Sequence, residues 1–229
     1  RSSGRSHRIV RKRPRVTRRE ADYLSSEQVR AVLSAAQITR YAPLFELLVN
    51  TGLRRGEALA LQWSDVDLEA GTLRVRGTLA RVNGRLEVTE PKTAKSKRTV
   101  PLSEPAVQVL RAIRLEQAQE RLRAGSWWHQ TGYVFTTSSG EPYEPRNALR
   151  AFKAAAKRAG LPASVGLHTL RHTAASVMLE NGVPLKIVSE ILGHASVAIT
   201  GDIYGHVAPD VSREAVAKLA AALSEVRVH

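Results

Sequence analysis

The hydrophobic pattern of this chain changes from helical to strand-like over residues 72–102 and then returns to helical. Leu73 and Val75 alternate with polar residues, and Asn83-Gly84 is typical of a two-residue hairpin turn. Outside this stretch the apolar residues recur at intervals of three and four, as they do along one face of a helix. The pattern predicts a mainly α fold with a small antiparallel β-sheet, which is an α+β fold.

Several of the predicted helices have recognisable ends. Ser25, with Gln28 three residues later, is a capping-box signature at the start of the first helix. Gly182 and Gly193 lie where helices commonly end. A short helix carries Arg54 and Glu57, and the other predicted helices cover about 41–50, 104–122, 145–159, 168–181, 184–192 and 209–224.

The positive charge of the chain is concentrated at its N-terminus. The formal net charge is +14, and residues 1–19 carry nine Arg or Lys and no acidic residue. Since this stretch has no apolar periodicity with which to bury a core, we expect residues 1–21 to be a basic arm or interdomain linker that is flexible when free. Double-stranded DNA is the expected partner, because arginine-rich arms gain affinity by releasing phosphate counterions, and a solubilising linker is the alternative. The DNA-binding residues predicted in this basic arm are Arg11, Lys12, Arg13, Arg15, Arg18 and Arg19.

The composition excludes some classes of protein. The chain has no cysteine, so it forms neither disulfides nor cysteine-ligated zinc sites. No apolar run approaches the roughly 20 residues that a membrane span requires, and no signal peptide is visible. We therefore expect a soluble intracellular protein without a membrane partner.

Arg54 and Glu57 lie three residues apart on one predicted helix and can meet on one face. The two residues form either an ordinary surface ion pair or an arginine that its glutamate holds toward a phosphate. Arginine suits the second task because its planar guanidinium donates two parallel hydrogen bonds to phosphate oxygens.

Two histidines and an arginine lie together in His168-Thr169-Leu170-Arg171-His172. His168 and Arg171 share one side of a predicted helix start, which suits proton transfer beside an anion. His168 and His172 have the spacing of two zinc ligands, but Thr169 lies where a metalloprotease helix has glutamate. We therefore predict no metal site and interpret His172 as structural.

Lys92 and Tyr204 are further candidate catalytic residues, but sequence spacing alone does not decide whether either has a catalytic role. Lys92 lies in a basic turn between two predicted strands, which is either a solvated loop or a mobile hairpin that delivers a proton donor into a cleft. Tyr204 is one of five tyrosines. A phenol has a pKa of about 10 and needs positive neighbours or a base before it acts as a nucleophile.

Five motifs occur in the order and at the approximate separations found in the tyrosine recombinases. They are Thr51-Gly52-Leu53-Arg54 with Glu57, Pro91-Lys92-Thr93, His168-Thr169-Leu170-Arg171-His172-Thr173, Leu192-Gly193-His194, and Tyr204. The chain thus resembles the phage-integrase branch of that family over residues 22–208. The resemblance implies the tyrosine recombinase catalytic-domain fold for this range. It also implies that residues 209–229 hold a C-terminal helix, which docks on a neighbouring protomer or packs within its own chain.

The resemblance implies a role for each matched residue. Tyr204 would attack a scissile DNA phosphate to form a 3′-phosphotyrosyl link, and Lys92 would protonate the departing 5′-oxygen. Arg54 and Arg171 would neutralise the nonbridging oxygens as charge builds in the transition state. No metal, ATP or other cofactor is implied, because these basic groups supply the positive charge and the covalent link conserves bond energy.

The remaining matched residues would assist this chemistry. His168 would aid proton transfer at the tyrosine, His194 would hydrogen-bond a phosphate oxygen, and Glu57 would orient the site. Gly201 lies where an apolar residue is frequent in this family, which predicts a flexible tyrosine segment that moves during synapsis. The DNA contacts expected near the catalytic lysine are Lys95, Lys97 and Arg98.

The implied function is site-specific DNA recombination by a phage-type integrase in the cytoplasm of a bacterial host. Its partners would be double-stranded attachment sites, further protomers in a tetrameric synapse, and accessory host or directionality factors. A type IB topoisomerase or a hairpin telomere resolvase would use related chemistry. A DNA-binding regulator would explain the charge of the chain, but not the series of arginine, lysine, histidine and tyrosine motifs.

Overall fold

The computed structural model describes residues 23–90, 96–194 and 196–204. The helices in these ranges are α1 (Ser26–Ala36), α2 (Ala42–Thr51), α3 (Arg55–Leu59), α4 (Glu104–Ala124), α5 (Pro145–Arg158), α6 (Leu167–Glu180), α7 (Leu185–Leu192) and α8 (Val197–Tyr204). The strands are β1 (Val66–Asp67), β2 (Thr72–Val75), β3 (Thr78–Val82), β4 (Arg85–Thr89) and β5 (Arg98–Pro101). This architecture confirms the predicted mainly α fold with a small antiparallel sheet component.

The first two helices have the ends that their sequences predict. Ser25 Oγ accepts a hydrogen bond from the Gln28 backbone N–H at 3.2 Å, and the Gln28 side chain accepts one from the Ser25 N–H at 2.9 Å. These bonds satisfy N–H groups that a helix start leaves unpaired. Helix α2 ends at Gly52, whose φ of 64° is a left-handed conformation that glycine adopts without strain. The chain then turns directly into Arg54 and α3.

Helix α2 lies at the centre of the core. Its Leu44, Phe45, Leu47 and Leu48 are fully buried, and the helix packs against α4 and α6. The ring of Phe45 meets the ring of Phe152 on α5 edge to face, with centroids 5.1 Å apart. Because α2 contacts both α3 and α6, this core fixes the relative positions of the two helices that carry the arginine motifs.

The strands form two small antiparallel sheets in the described residues, rather than one. Strands β1, β2 and β5 form the first sheet, in which Leu73 lies opposite Val100. Strands β3 and β4 form a hairpin whose turn residues, Asn83 and Gly84, have φ values of 47° and 81°. Positive φ at both turn residues is the geometry that an Asn-Gly pair predicts. Residues 91–95, in the predicted basic turn between β4 and β5, lie outside the described residues.

Three helices follow one another at the C-terminal end of the described chain. Helix α7 ends at Gly193 with a φ of 65°, as its sequence predicts. The sequence does not predict α8, because Gly201 weakens the helical pattern. Packing compensates, since α8 contacts α7 and its Thr200 is fully buried. The segment before the tyrosine is therefore helical in this structure, while its movement during synapsis stays a prediction.

Two further expectations concern the whole chain. None of the described helices is both long and apolar enough to cross a membrane. The predicted helix 209–224 and the basic arm lie outside the described residues.

Candidate active site

Arg171 links separate parts of the chain where the sequence motifs meet. From α6, its guanidinium donates 2.7 Å hydrogen bonds to the carbonyl oxygens of Gly52 and Leu192. The residue is only 6% exposed. Arg171 therefore holds together the two backbone segments that lead into Arg54 and His194.

Glu57 is a buried acid of this site. It is 3% exposed, and its carboxylate accepts hydrogen bonds from the Arg54 backbone N–H at 2.9 Å and from the Arg54 guanidinium at 2.8 Å. The Arg98 guanidinium binds both oxygens of the same carboxylate, at 3.0 and 3.2 Å. Burial by itself would raise the pKa of Glu57, but the hydrogen bonds and charge of Arg98, followed by the hydrogen bonds of Arg54, outweigh burial and lower it. Glu57 is thus an anion shared by two arginines rather than half of an ordinary surface pair.

Arg98, which the sequence predicts as a DNA contact, lies in the interior of the site. Its side chain is only 7% exposed, and its Nε donates a 2.6 Å hydrogen bond to the carbonyl oxygen of Ile191. A Cβ at position 193 would lie 2.7 Å from Arg98 Nη1, so Gly193 allows the guanidinium to lie against the end of α7. An arginine enclosed in this way is part of the interior of the site, and its contact with DNA stays a prediction.

Strand alternation is the signal that the sequence prediction missed. Arg98 and Val100 are two residues apart in β5, and residues at that interval point to the same face of a strand. Val100 is buried in the core. Arg98 therefore faces inward, which the basic composition of the neighbouring turn conceals.

His168 and His172 lie one turn apart on α6. The pKa of His168, whose side chain is exposed, is lowered first by partial desolvation of its ring and then by the charges of Arg55, Arg171 and Arg54. The pKa of the half-buried His172 is lowered first by burial and then by His168 and Arg171. Both rings are biased toward the neutral form, which can accept a proton.

His194 directly follows Gly193 and is half-buried. Burial, followed by the charges of Arg171, Arg54 and Arg98, lowers its pKa to about 4. The imidazole is therefore neutral at pH 7. Its Nδ1 lies 2.7 Å from the Oγ1 of Thr200, which joins the end of α7 to α8.

A family-level comparison covers all of the described residues. Residues 22–210 match the model of the phage integrase family. This chain belongs to the phage integrase family. The predicted membership of the tyrosine recombinases is confirmed.

Curated relatives of this integrase-family chain share its sequence over most of its length. A tyrosine recombinase XerC-like protein of Caldanaerobacter subterraneus is 39% identical over 212 residues, which are 87% of this chain and 54% of the relative. An integrase of Staphylococcus phage L54a is 34% identical over 179 residues, which are 76% of this chain and 50% of that protein. The chain spans about half the length of the curated relatives it matches.

Solved structures confirm the tyrosine recombinase catalytic-domain fold. The crystal structure of XerA recombinase matches with a TM-score of 0.65 and 28% identity, over 86% of this chain and 64% of that one. The catalytic domain of bacteriophage HP1 integrase matches with a TM-score of 0.56 and 24% identity, over 86% of this chain and 94% of that domain. The HP1 match bears on the fold alone.

The structure brings together several of the residues predicted for an integrase-family site. Arg54, Glu57, Arg171 and His194 share the site, and Tyr204 is the last residue of α8. The exposed Lys97 lies 3.5 Å from Glu90. Within the described ranges, no three His, Asp or Glu residues are grouped so that they could hold a metal ion. The predicted residues that lie outside the described residues are Lys92, Lys95, Arg11, Lys12, Arg13, Arg15, Arg18 and Arg19.

Proposed function

We propose that this chain is the catalytic part of a site-specific recombinase, which cleaves and rejoins DNA through a 3′-phosphotyrosyl intermediate. The observation that carries the proposal is the shared site of Arg54, Glu57, Arg171 and His194, which Thr200 joins to the helix that ends in Tyr204. The names of its relatives, recombinase and integrase, support the same reaction.

Arg54 and Arg171 hold the scissile phosphate in this proposal. Glu57 fixes one side of the Arg54 guanidinium at 2.8 Å, while 38% of the Arg54 side chain stays exposed, so this arginine is both oriented and accessible. Fixed donors of this kind stabilise the negative charge that develops on nonbridging oxygens without having to reorganise during the reaction. The N–H of neutral His194 is a further donor to the phosphate.

The covalent step exchanges one phosphoester for another. The Tyr204 oxygen bonds to phosphorus while the bond between phosphorus and the 5′-oxygen breaks. The phenolic proton passes to the neutral ring of His168, and Lys92 gives a proton to the departing 5′-oxygen. Attack of a 5′-hydroxyl on the phosphotyrosine reverses these steps and rejoins the strand without metal or ATP.

Contacts outside the reaction centre hold the DNA. The basic arm, together with Lys95 and Lys97, binds backbone phosphates on either side of the cleavage site. The reaction takes place on DNA in the cytoplasm of a bacterial host, and accessory host or directionality factors determine its direction.

The active assembly is a tetramer on DNA, held by exchange of the C-terminal segment between protomers. Among the described residues, an apolar groove of about 600 Å³ is lined by Val29, Val49, Leu102, Val177, Met178 and Ile191. The predicted helix 209–224 carries an apolar stripe that would suit this apolar groove. The stripe is formed by Val216, Leu219, Ala220 and Leu223. This stripe fills the groove of a neighbouring protomer.

The test is covalent capture of DNA. The 229-residue chain is incubated with a pool of duplexes, each nicked within a randomised segment, so that the short oligonucleotide released by cleavage diffuses away and the adduct is trapped. Denaturing gels should show an adduct on the 3′ side of the break, and sequencing of the adducts should converge on one site. Tyr204→Phe should abolish the adduct, and Tyr23→Phe is the matched control because it removes an exposed phenol elsewhere.

Other outcomes would overturn the proposal. An adduct that persists in Tyr204→Phe would exclude Tyr204 as the nucleophile. Relaxation of plasmids without convergence on any sequence would indicate a type IB topoisomerase. Tight DNA binding with no adduct, unchanged in Tyr204→Phe, would indicate a regulator.

A further inference from the structure

Thr200 occupies an unusual place between two residues of the proposed reaction. Its side chain is fully buried, and its Oγ1 lies 2.7 Å from His194 Nδ1. It also lies four residues before Tyr204 on α8, which is about one helical turn. A single hydroxyl thus joins the ring expected to face the phosphate to the helix expected to carry the nucleophile.

The direction of this hydrogen bond determines what His194 can do. A neutral imidazole carries one proton, so one ring nitrogen is a donor and the other an acceptor. If the Thr200 hydroxyl donates to Nδ1, Nε2 carries the proton and can donate to an anion. If Nδ1 donates to Thr200, Nε2 is an acceptor and cannot donate to an anionic oxygen, which is itself an acceptor. The partner of one ring nitrogen thus sets the chemistry of the other.

The surroundings favour the first arrangement. Burial of His194, followed by the charges of Arg171, Arg54 and Arg98, holds the ring neutral, and the same charges attract an anion to the site. A threonine hydroxyl rotates freely enough to supply the proton that Nδ1 then lacks.

We propose that Thr200 is a positioning residue, whose hydroxyl donates a hydrogen bond to His194 Nδ1 and so holds the ring in the Nε2–H tautomer. Because Thr200 lies on α8, it sets this tautomer only when α8 is packed in place. The contribution of the tautomer to DNA cleavage rests on the proposed function, whereas the tautomer itself does not. The position of α8, which ends in Tyr204, therefore determines whether His194 can donate a hydrogen bond to the phosphate.

The tautomer is measured by long-range ¹⁵N–¹H NMR of the imidazoles in the free chain, with His194→Asn used to assign the signal. The wild type and Thr200→Ser should show the Nε2–H form. Thr200→Val has nearly the same shape but no hydroxyl, and it should shift His194 toward the Nδ1–H form. Thr173→Val is the matched control, because it removes another buried hydroxyl that bonds within α6 and to Leu24.

The rate of adduct formation and the Kd for DNA are measured on the same proteins. Thr200→Val should slow adduct formation by about 10- to 100-fold with little change in Kd, by analogy with the loss of the partner of a metal-binding histidine. Thr200→Ser keeps the hydroxyl and should form adducts at the wild-type rate. If the role of Thr200 is purely structural, Thr200→Val and Thr173→Val should slow adduct formation equally when they destabilise the fold equally.

The outcomes separate the two proposals. If Thr200→Val keeps the wild-type tautomer, or forms adducts at the wild-type rate, the role of Thr200 is overturned. If the tautomer shifts as expected but the wild-type chain forms no adduct, the positioning role holds and the recombinase function fails.

Discussion

Glu57 is the residue on which the charge balance of the site depends. Its buried carboxylate lies between Arg54 and Arg98, and Arg98 has little access to water. When one member of a buried ion pair is removed, the other is left as an uncompensated charge. Glu57 therefore stabilises the fold and orients Arg54 through the same contacts.

Replacing Glu57 tests this balance directly. Glu57→Gln is expected to lower the free energy of unfolding by about 3 kcal/mol, because Arg98 loses its counter-ion. Urea denaturation at pH 7 measures the loss, and Glu27→Gln, in the exposed first turn of α1, is the control. The double variant Glu57→Gln/Arg98→Met should lose less stability than the sum of the single variants. Strict additivity would contradict a shared ion pair.

The histidines make the stability of the fold depend on pH. The folded-state pKa of His194 is about 4, below the value of about 6.5 expected for an unfolded histidine. Those of His168 and His172 are lowered as well. As the pH falls from about 6.5 to 4, these histidines bind protons more readily in the unfolded chain than in the folded chain. The free energy of unfolding therefore decreases.

Denaturation curves at pH 7, 6 and 5 should show this decline. His194→Asn should make it shallower, and His129→Asn is the control because it removes an exposed ring in the loop after α4. The same slope in the wild type and in His194→Asn would contradict the low pKa of His194.

At the scale of single residues, the sequence motifs identify the functional groups and the local pair of Arg54 and Glu57, but not the partners that are distant along the chain. The motifs single out Arg54, Glu57 and Arg171 from spacing and residue type. Arg171, however, binds carbonyl oxygens 119 and 21 residues away along the chain. Such contacts depend on how helices pack, which local spacing does not encode. Arg98 shows the same limit in part, since alternation with Val100 indicates that it faces inward but not that it binds Glu57 and the carbonyl of Ile191.

Among the elements, α8 carries the proposed nucleophile, Tyr204, at its end. Gly201 lies inside this helix, and a Cβ there would lie 3.6 Å from Leu185 Cδ2, which is an ordinary contact. Its presence weakens α8 relative to alanine through backbone entropy alone. The helix is thus formed, but it is less stable than it would be with alanine at this position.

Gly201→Ala should stabilise α8 by about 1 kcal/mol and slow hydrogen exchange at residues 196–204 in the free chain. If movement of this segment precedes cleavage, adducts should also form more slowly. Gly160→Ala is an instructive control, because it meets no neighbour but has a φ of 71°, so it should destabilise the chain by backbone strain. Equal protection of residues 196–204 with and without DNA would count against the movement.

The elements that the sequence predicts are those with local signals. The capping box of Ser25 and Gln28, the Asn83-Gly84 turn and the end of α7 at Gly193 all follow from short-range chemistry. The division of the strands into two sheets and the formation of α8 do not. Both depend on packing between elements, which outweighs local propensity.

For the molecule as a whole, the basic arm should dominate the salt dependence of DNA binding. It contains nine positively charged residues, all of them within residues 1–19. Each phosphate contact contributes about −0.9 to the slope of the logarithm of the binding constant against the logarithm of the salt concentration. Alanine at the six predicted arm residues should weaken binding and flatten this slope, measured by fluorescence anisotropy between 50 and 200 mM KCl, a range of about fourfold. Lysine at the same six positions is the charge-preserving control. An unchanged slope in the alanine variant would contradict the prediction.

The proposed exchange of C-terminal segments can be trapped because the chain contains no cysteine. A chain with Val177→Cys in the groove and Leu219→Cys in the apolar stripe should form disulfide-linked oligomers on non-reducing gels when DNA is present. Either cysteine alone is the control. An exclusively intramolecular disulfide would place the segment on its own protomer, and the absence of any disulfide would contradict the pairing of groove and stripe.

The arginines of the site bind main-chain carbonyls, and this has a consequence for how the family diverges. Arg171 binds the carbonyls of Gly52 and Leu192, and Arg98 binds that of Ile191. A carbonyl oxygen stays in place when its side chain changes, so substitutions at the end of α7 can accumulate without moving Arg171 or Arg98. What must be inherited is the path of the backbone, including a glycine at position 52, whose φ of 64° would strain a residue that carries a Cβ. Natural variation should therefore be wide in the side chains around the arginines and narrow at this glycine.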